Sequence, residues 1–217
     1  MGSRYNESPE GAPPGLILAS SSPRRRELMR VIGVPFRVVP SRVEETSHAG
    51  EPFRNFVRRA AREKGEEVAS RYPEAFVLAA DTVVVVGNRM LGKPEDRADG
   101  ARMLRLLQGR EHRVHTAVCL LRRSTGYADE AVETTRVAFR SLTGQEIRAY
   151  LRTGESDDKA GAYAAQGRGN LLIERISGSY TNVVGLPMTR VLEMLQRTGM
   201  LAVSREGTKW YRREGCR

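Results

Sequence analysis

The chain has 217 residues, 40% hydrophobic and 29% charged; a chain of this length buries roughly 70% of its unfolded surface without staples, and no apolar run approaches the ~20 residues of a membrane helix. Lys and Arg outnumber Asp and Glu by 36 to 26, a net charge of +10, which favours an anionic partner such as nucleic acid, an acidic membrane surface or a phosphorylated small molecule. Aromatics are only 6% and the arginines are spread along the chain, so neither a dedicated nucleic-acid binder, with its basic stripe and exposed aromatics, nor a membrane protein is expected.

Residues 1–14 are rich in Pro, Gly, Ser and Glu and read as a tail, with no basic and apolar leader pattern. Leu16 to Ala19 is a short apolar run, a buried strand, followed by Ser20-Ser21-Ser22-Pro23 and a helix over Arg24 to Ile32 with apolar Leu28, Met29 and Ile32. Serine before proline marks the start of that helix. Phe36 to Val39 is a second strand, Phe53 to Val68 a helix, and Phe76 to Asp81 a strand that ends on an acid. Val83 to Val86 then runs into a turn at Gly87-Asn88.

Asp99 to Leu107 is a helix closed by Gly109, and Val114 to Leu121 pairs antiparallel with Ala131 to Phe139 through Ser124-Thr125-Gly126. Thr143 to Leu151 opens with the capping-box pattern of Thr143 and Glu146. Leu171 to Ile173 reads as a strand and Pro187 to Leu195 as the last helix. The expected body covers residues 15–199, with a basic C-terminal tail over 200–217. The fold class is α/β, helices flanking a twisted sheet with both parallel and antiparallel pairings. The two cysteines, Cys119 and Cys216, give no disulfide framework, and a cytoplasmic protein is expected.

Several segments could carry chemistry. Ser20 to Arg25 joins a strand to a helix; free N–H groups, serine hydroxyls and two guanidinium groups there make a phosphate cradle. The same pattern also serves an ordinary capped helix. Ala79-Ala80-Asp81-Thr82 places an acid at a strand's carboxyl end, where ligands of open α/β sheets collect and where it can hold a metal or take a proton from water. Gly92-Lys93-Pro94 sets an ammonium between two backbone-restricting residues. Glu44-Glu45 and Lys64 are bland alone. Asp157 to Gly167 combines small residues with Asp158, Lys159 and Gln166, and Ser177 to Pro187 is a second glycine-punctuated loop. No phosphate loop of the Gly-Lys-Ser/Thr type, dinucleotide fingerprint or paired-histidine zinc motif occurs, and His48, His112 and His115 lack metal-site spacing. Catalysis would then rest on carboxylates, basic groups and a hard, oxygen-bound cation.

Together these segments resemble the Maf family of nucleoside triphosphate pyrophosphatases. The resemblance rests on Ser20-Ser21-Ser22-Pro23-Arg24-Arg25, Val43-Glu44-Glu45-Thr46, Lys64, Ala80-Asp81-Thr82, Gly92-Lys93-Pro94, the Asp158 to Gly167 stretch and Ser177 to Pro187, and covers about Gly15 to Gly199. Glu44 stands where the family more often has aspartate, and Ser156 where proline is common. The resemblance implies two lobes around a central cleft and hydrolysis of a nucleoside triphosphate to the monophosphate and pyrophosphate with a divalent cation, Mg²⁺ or Mn²⁺.

By the same resemblance Asp81 activates the water and, with Glu45, places the metal. Ser20, Arg25, Lys64 and Lys93 hold phosphate oxygens, and Arg24, Thr82 and Gln166 carry substrate choice. A carboxamide at Gln166 both donates and accepts, which suits the carbonyl and N–H edge of uracil or thymine, whereas the adjacent donors of guanine suit a carboxylate. The expected substrates are therefore dTTP and UTP; a preference for 7-methyl-GTP or purines, or a septum-related role by binding alone, are the alternatives. Family members are often dimers, so a homodimer is the assembly the resemblance implies.

Overall fold

The computed structural model describes residues 15–203 and 210–211; the expected N-terminal tail and most of the expected C-terminal one lie outside the described residues. Five strands and two helices set the site. These are β1 (Leu16–Leu18), α1 (Pro23–Ile32), β2 (Arg37–Val38), α2 (Phe53–Arg71), β3 (Phe76–Val86), β4 (Arg89–Leu91) and, after α3 (Arg97–Leu107), β5 (Glu111–Arg122). They are followed by β6 (Tyr127–Phe139), α4 (Gly144–Leu151), β7 (Ile173–Ser177), α5 (Tyr180–Val184), α6 (Met188–Arg197), β8 (Ala202–Val203) and β9 (Trp210–Tyr211). The main sheet runs β2-β1-β3-β5-β6-β7, with β4 added on β3. β1 is parallel to β2 and β3, while β3, β5, β6 and β7 each run antiparallel to the next, so the sheet is mixed as the sequence predicts.

β3 is buried along nearly its whole length because helices cover both faces, which explains its unbroken apolar run. Its side chains alternate. Leu78 and Ala80 pack with Met29, Met194 and Leu195 of α1 and α6, and Val84 and Val86 with Leu104 and Leu107 of α3. Val77 and Ala79 pack with Val68 of α2, and Val83 and Val85 with Phe56, Val57 and Ala61 of the same helix. α2 approaches closely because Gly65 faces the sheet; a Cβ there would lie 2.9 Å from Leu121 Cδ1 and 3.4 Å from Ala79 Cβ.

One expectation is corrected at the point that matters most. Asp81 does not end a strand: β3 continues to Val86, because β5 supports it from Val77 to Val85 on one edge. The other edge is shared. β1 pairs there with Phe76 to Leu78 and β4 with Val84 to Val86, leaving residues 79–83 without a strand neighbour on that side. Asp81 lies in the middle of this gap.

Other boundaries shift for local reasons. Leu171 and Leu172 belong to a 3-10 segment, Gly167–Leu172, and the strand begins only at Ile173, where pairing with β6 starts. Within the Ser177 to Pro187 loop, Ser179 caps a one-turn helix, α5, by accepting from Asn182 N. The packed body passes Gly199: Met200 and Leu201 are buried, and β8 pairs with β9. The Thr143 and Glu146 capping box forms as predicted.

His112 is buried between Phe139 and Tyr163, its Nε2 2.8 Å from the Tyr163 hydroxyl. Burial disfavours the imidazolium and pushes its pKa down to about 4. A group held below its unfolded value stabilises the fold above that value and loses the contribution as pH falls toward the folded one. His112 should therefore cost about 3 kcal/mol of stability, at most, between pH ~6.5 and ~4. His112→Leu is expected to flatten this part of the stability-against-pH curve measured by urea unfolding; an unchanged acid slope would show that His112 does not drive it.

Candidate active site

The gap in β3 opens onto a cavity of about 710 Å³. All nine residues singled out in the sequence line it: Ser20, Arg24, Arg25, Glu45, Lys64, Asp81, Thr82, Lys93 and Gln166. They arrive from the β1–α1 turn, the first turn of α1, the segment after β2, α2, β3, the segment after β4 and the loop before β7. Because successive strand residues face opposite ways, Asp81 points toward α2 and Thr82 toward the other face. The cavity reaches both around the unpaired edge.

On the α2 side, the Asp81 carboxylate is 3% exposed and Oδ1 accepts from Lys64 Nζ at 2.7 Å. Lys64 also donates to Glu45 Oε1. Asp81 Oδ2 is buried and has no hydrogen-bond partner among the described residues. Burial pushes the Asp81 pKa above the ordinary aspartate range, against the pull of Lys64 and with a further push from Glu45. Burial acts in the same sense on Glu45, but there Lys64, with Lys93 and Arg25, outweighs it and holds the carboxyl low.

On the other side Arg25 is committed to the frame. Its Nε donates to Gly185 O at 2.7 Å, Nη1 to Ala80 O at 2.9 Å and to Ser20 Oγ at 3.3 Å, and Nη2 to Thr82 Oγ1 at 3.0 Å. Ala80 O lies on the strand edge that lacks a neighbour, so the guanidinium supplies the donor that a missing strand would have supplied. Four of its five N–H bonds are thus used, leaving one. Thr82 Oγ1 also pairs with Thr116 Oγ1 at 3.0 Å, and Thr116 donates to Asn182 O. Asn182 is buried and donates to Val114 O and Thr135 Oγ1. Sequence reading missed Thr116 and Thr135, which sit in β-rich runs with nothing to mark them as polar supports.

The remaining walls mix apolar residues such as Phe56, Val83 and Tyr163 with Glu44, Asp158 and further basic side chains. Lys93 is exposed at the mouth rather than held fast, Arg24 is half-buried, and the Gln166 carboxamide makes no hydrogen bond to the described residues. Lys159, which also lines the cavity, is paired with Asp158 at 2.5 Å. The loop carrying Gln166 is set by two consecutive left-handed residues, Gly161 at φ 72° and Ala162 at φ 57°. Gly161 packs on Val84, and a Cβ there would be 3.1 Å from three of that residue's carbons.

A divalent cation fits this donor set in a limited way. The described residues contain no group of three or more His, Cys, Asp or Glu that could hold a metal ion. Two carboxylates, one with a buried oxygen unpartnered, suit a hard ion such as Mg²⁺ or Mn²⁺ that keeps waters and takes phosphate oxygens as its other ligands.

A buried carboxylate with one unpartnered oxygen, a second carboxylate joined to it through a lysine, and several basic side chains thus converge at a gap in an α/β sheet. Residues 15–198 match the family profile described as Maf-like protein, and the chain belongs to the Maf family. A relative from Koribacter versatilis (strain Ellin345), named dTTP/UTP pyrophosphatase, is 48% identical over 86% of this chain and 96% of its own length. One from Symbiobacterium thermophilum with the same name is 51% identical over 85% of this chain and 94% of its own. A third so named, from Myxococcus xanthus (strain DK1622), is 48% identical over 85% and 93%. No helix among the described residues is long and apolar enough to cross a membrane.

Proposed function

We propose that the protein hydrolyses dTTP and UTP to the nucleoside monophosphate and pyrophosphate, acting in the cytoplasm with Mg²⁺ or Mn²⁺. One water is consumed across the anhydride between the α and β phosphates, and pyrophosphate leaves. The observation that carries this reading is the buried Asp81, with Oδ2 unpartnered, in a cavity whose other charged arms are mostly cationic.

Asp81 takes the proton from the attacking water. Its raised pKa brings it nearer the working pH and so makes it a better base than a free aspartate. Lys64 and Lys93 neutralise phosphate oxygens as mobile point charges, while Ser20 and the one remaining N–H of Arg25 fix them from the β1–α1 turn. Glu45 and Asp81 would hold the cation, which supplies charge neutralisation on the phosphate oxygens. Arg24, Thr82 and Gln166 face the nucleoside, and the unpaired carboxamide of Gln166 pairs with the carbonyl and N–H of a pyrimidine edge. Purified protein with Mg²⁺ or Mn²⁺ is expected to release pyrophosphate from dTTP and UTP much faster than from dATP, dGTP or 7-methyl-GTP. A panel in which guanine nucleotides turn over best would refute the role given to Gln166.

A further inference from the structure

We infer that Lys64 is a resident counter-cation that keeps the Glu45 and Asp81 pair closed to a divalent ion until a triphosphate draws it away, so that the metal enters with the nucleotide and not before it. This rests on the reading of the two carboxylates as the protein's contribution to the metal site.

The two acids are brought together from far apart in the chain, one on the segment after β2 and the other in mid-β3, and Asp81 is 3% exposed. Buried Asp81 needs a positive charge beside it, since an uncompensated buried charge is strongly destabilising, and Glu45, 42% exposed, shares that charge. Lys64 provides it. Its side chain is only 12% exposed, and its single ammonium contacts both Glu45 Oε1 and Asp81 Oδ1. The backbone beneath it cannot easily retreat, because Gly65 seats this turn of α2 directly against Leu121 and Ala79.

Glu45 and Asp81 would hold a divalent ion through the same carboxylates that now accept from the ammonium. Two cations cannot share that position. An incoming metal alone would have to expel Lys64 from both of its carboxylates into a cavity whose other acids are Glu44 and Asp158, the latter already paired with Lys159. A metal–triphosphate complex changes the exchange: the ion takes the carboxylates while Lys64, on a flexible four-carbon stem, swings to a phosphate oxygen. Charge then remains balanced at each stage.

The test is a Mn²⁺ titration of the full chain, followed by loss of the free-ion electron paramagnetic resonance signal. It is run without nucleotide and then with an α,β-imido analogue of dTTP, which cannot be cleaved at that bond. Wild type should bind Mn²⁺ about tenfold or more weakly without the analogue than with it, and Lys64→Met should bind it without nucleotide about tenfold more tightly than wild type. Lys64→Arg, which keeps a cation in place, should stay as metal-poor as wild type, and Glu45→Gln in the Lys64→Met background should abolish the gain. Equal nucleotide-free affinities for wild type and Lys64→Met would overturn the inference, as would tight binding by wild type alone. Should Lys64→Met fail to give a cooperative thermal melt, Lys64→Gln takes its place in the same nucleotide-free titration, and the signal lost to the analogue alone is subtracted from the titrations that contain it. Hydrolysis of dTTP by wild type is scored separately: its absence would sink the functional reading, whereas the Mn²⁺ affinities speak only to Lys64.

Discussion

An Asp81→Asn protein is expected to fold as wild type does and to turn over dTTP at least about a hundredfold more slowly, the usual contribution of a positioned general base. The substitution keeps the size of a side chain packed at 3% exposure and leaves an amide oxygen to accept from Lys64, which retains Glu45 as its ionic partner. What disappears is the charge on Oδ2, the oxygen with no hydrogen-bond partner among the described residues. Steady-state rates with saturating Mg²⁺ and a thermal melt of the same preparation make the comparison. Near-normal turnover in a well-folded variant would remove Asp81 from the role of base.

The second large effect concerns the nucleoside. In Gln166→Glu the carboxylate accepts hydrogen bonds but cannot donate, so the carbonyl of uracil or thymine loses its partner while the donors of a guanine edge gain one. An unpaired buried polar group costs about 1–3 kcal/mol, which is one to two decades in kcat/KM. The ratio of UTP to GTP turnover should fall by that amount, with the melt unchanged because the carboxamide makes no hydrogen bond to the described protein. An unchanged ratio would place substrate choice elsewhere, with Arg24 and Thr82 the residues to test next.

How much of this was readable in advance follows the range of the forces involved. The start of α1 at Ser22-Pro23, the Thr143 and Glu146 box and the long β5–β6 hairpin are local devices, and they form where the spacing puts them. The course of β3 is not local: whether the chain stops at Asp81 or runs on to Val86 is decided by β5, some thirty residues downstream along the chain. Arg25 shows the same limit. As part of a Ser-Pro-Arg-Arg run it looks like a phosphate arm, but its acceptors lie 55, 57 and 160 positions away, and only folding reveals that it chiefly braces the strand edge. Leu171 and Leu172 look like strand residues because apolar side chains in a short run fit a strand or a tight turn equally well.

The antiparallel match of Ala80 with Val118, Asp81 with Ala117 and Thr82 with Thr116 carries more than mechanical weight. On the proposed reading, chemistry and recognition fall to two consecutive residues of one strand, Asp81 and Thr82, separated only by the pleat. A one-residue slip would hand the acid to the arginine's side and the hydroxyl to the lysine's, scrambling both tasks at once while leaving a hydrogen-bonded ladder. Single insertions or deletions inside β3 should thus be far less tolerated in catalysis than changes of side-chain size, and the hairpin's alignment is itself part of the enzyme's working parts.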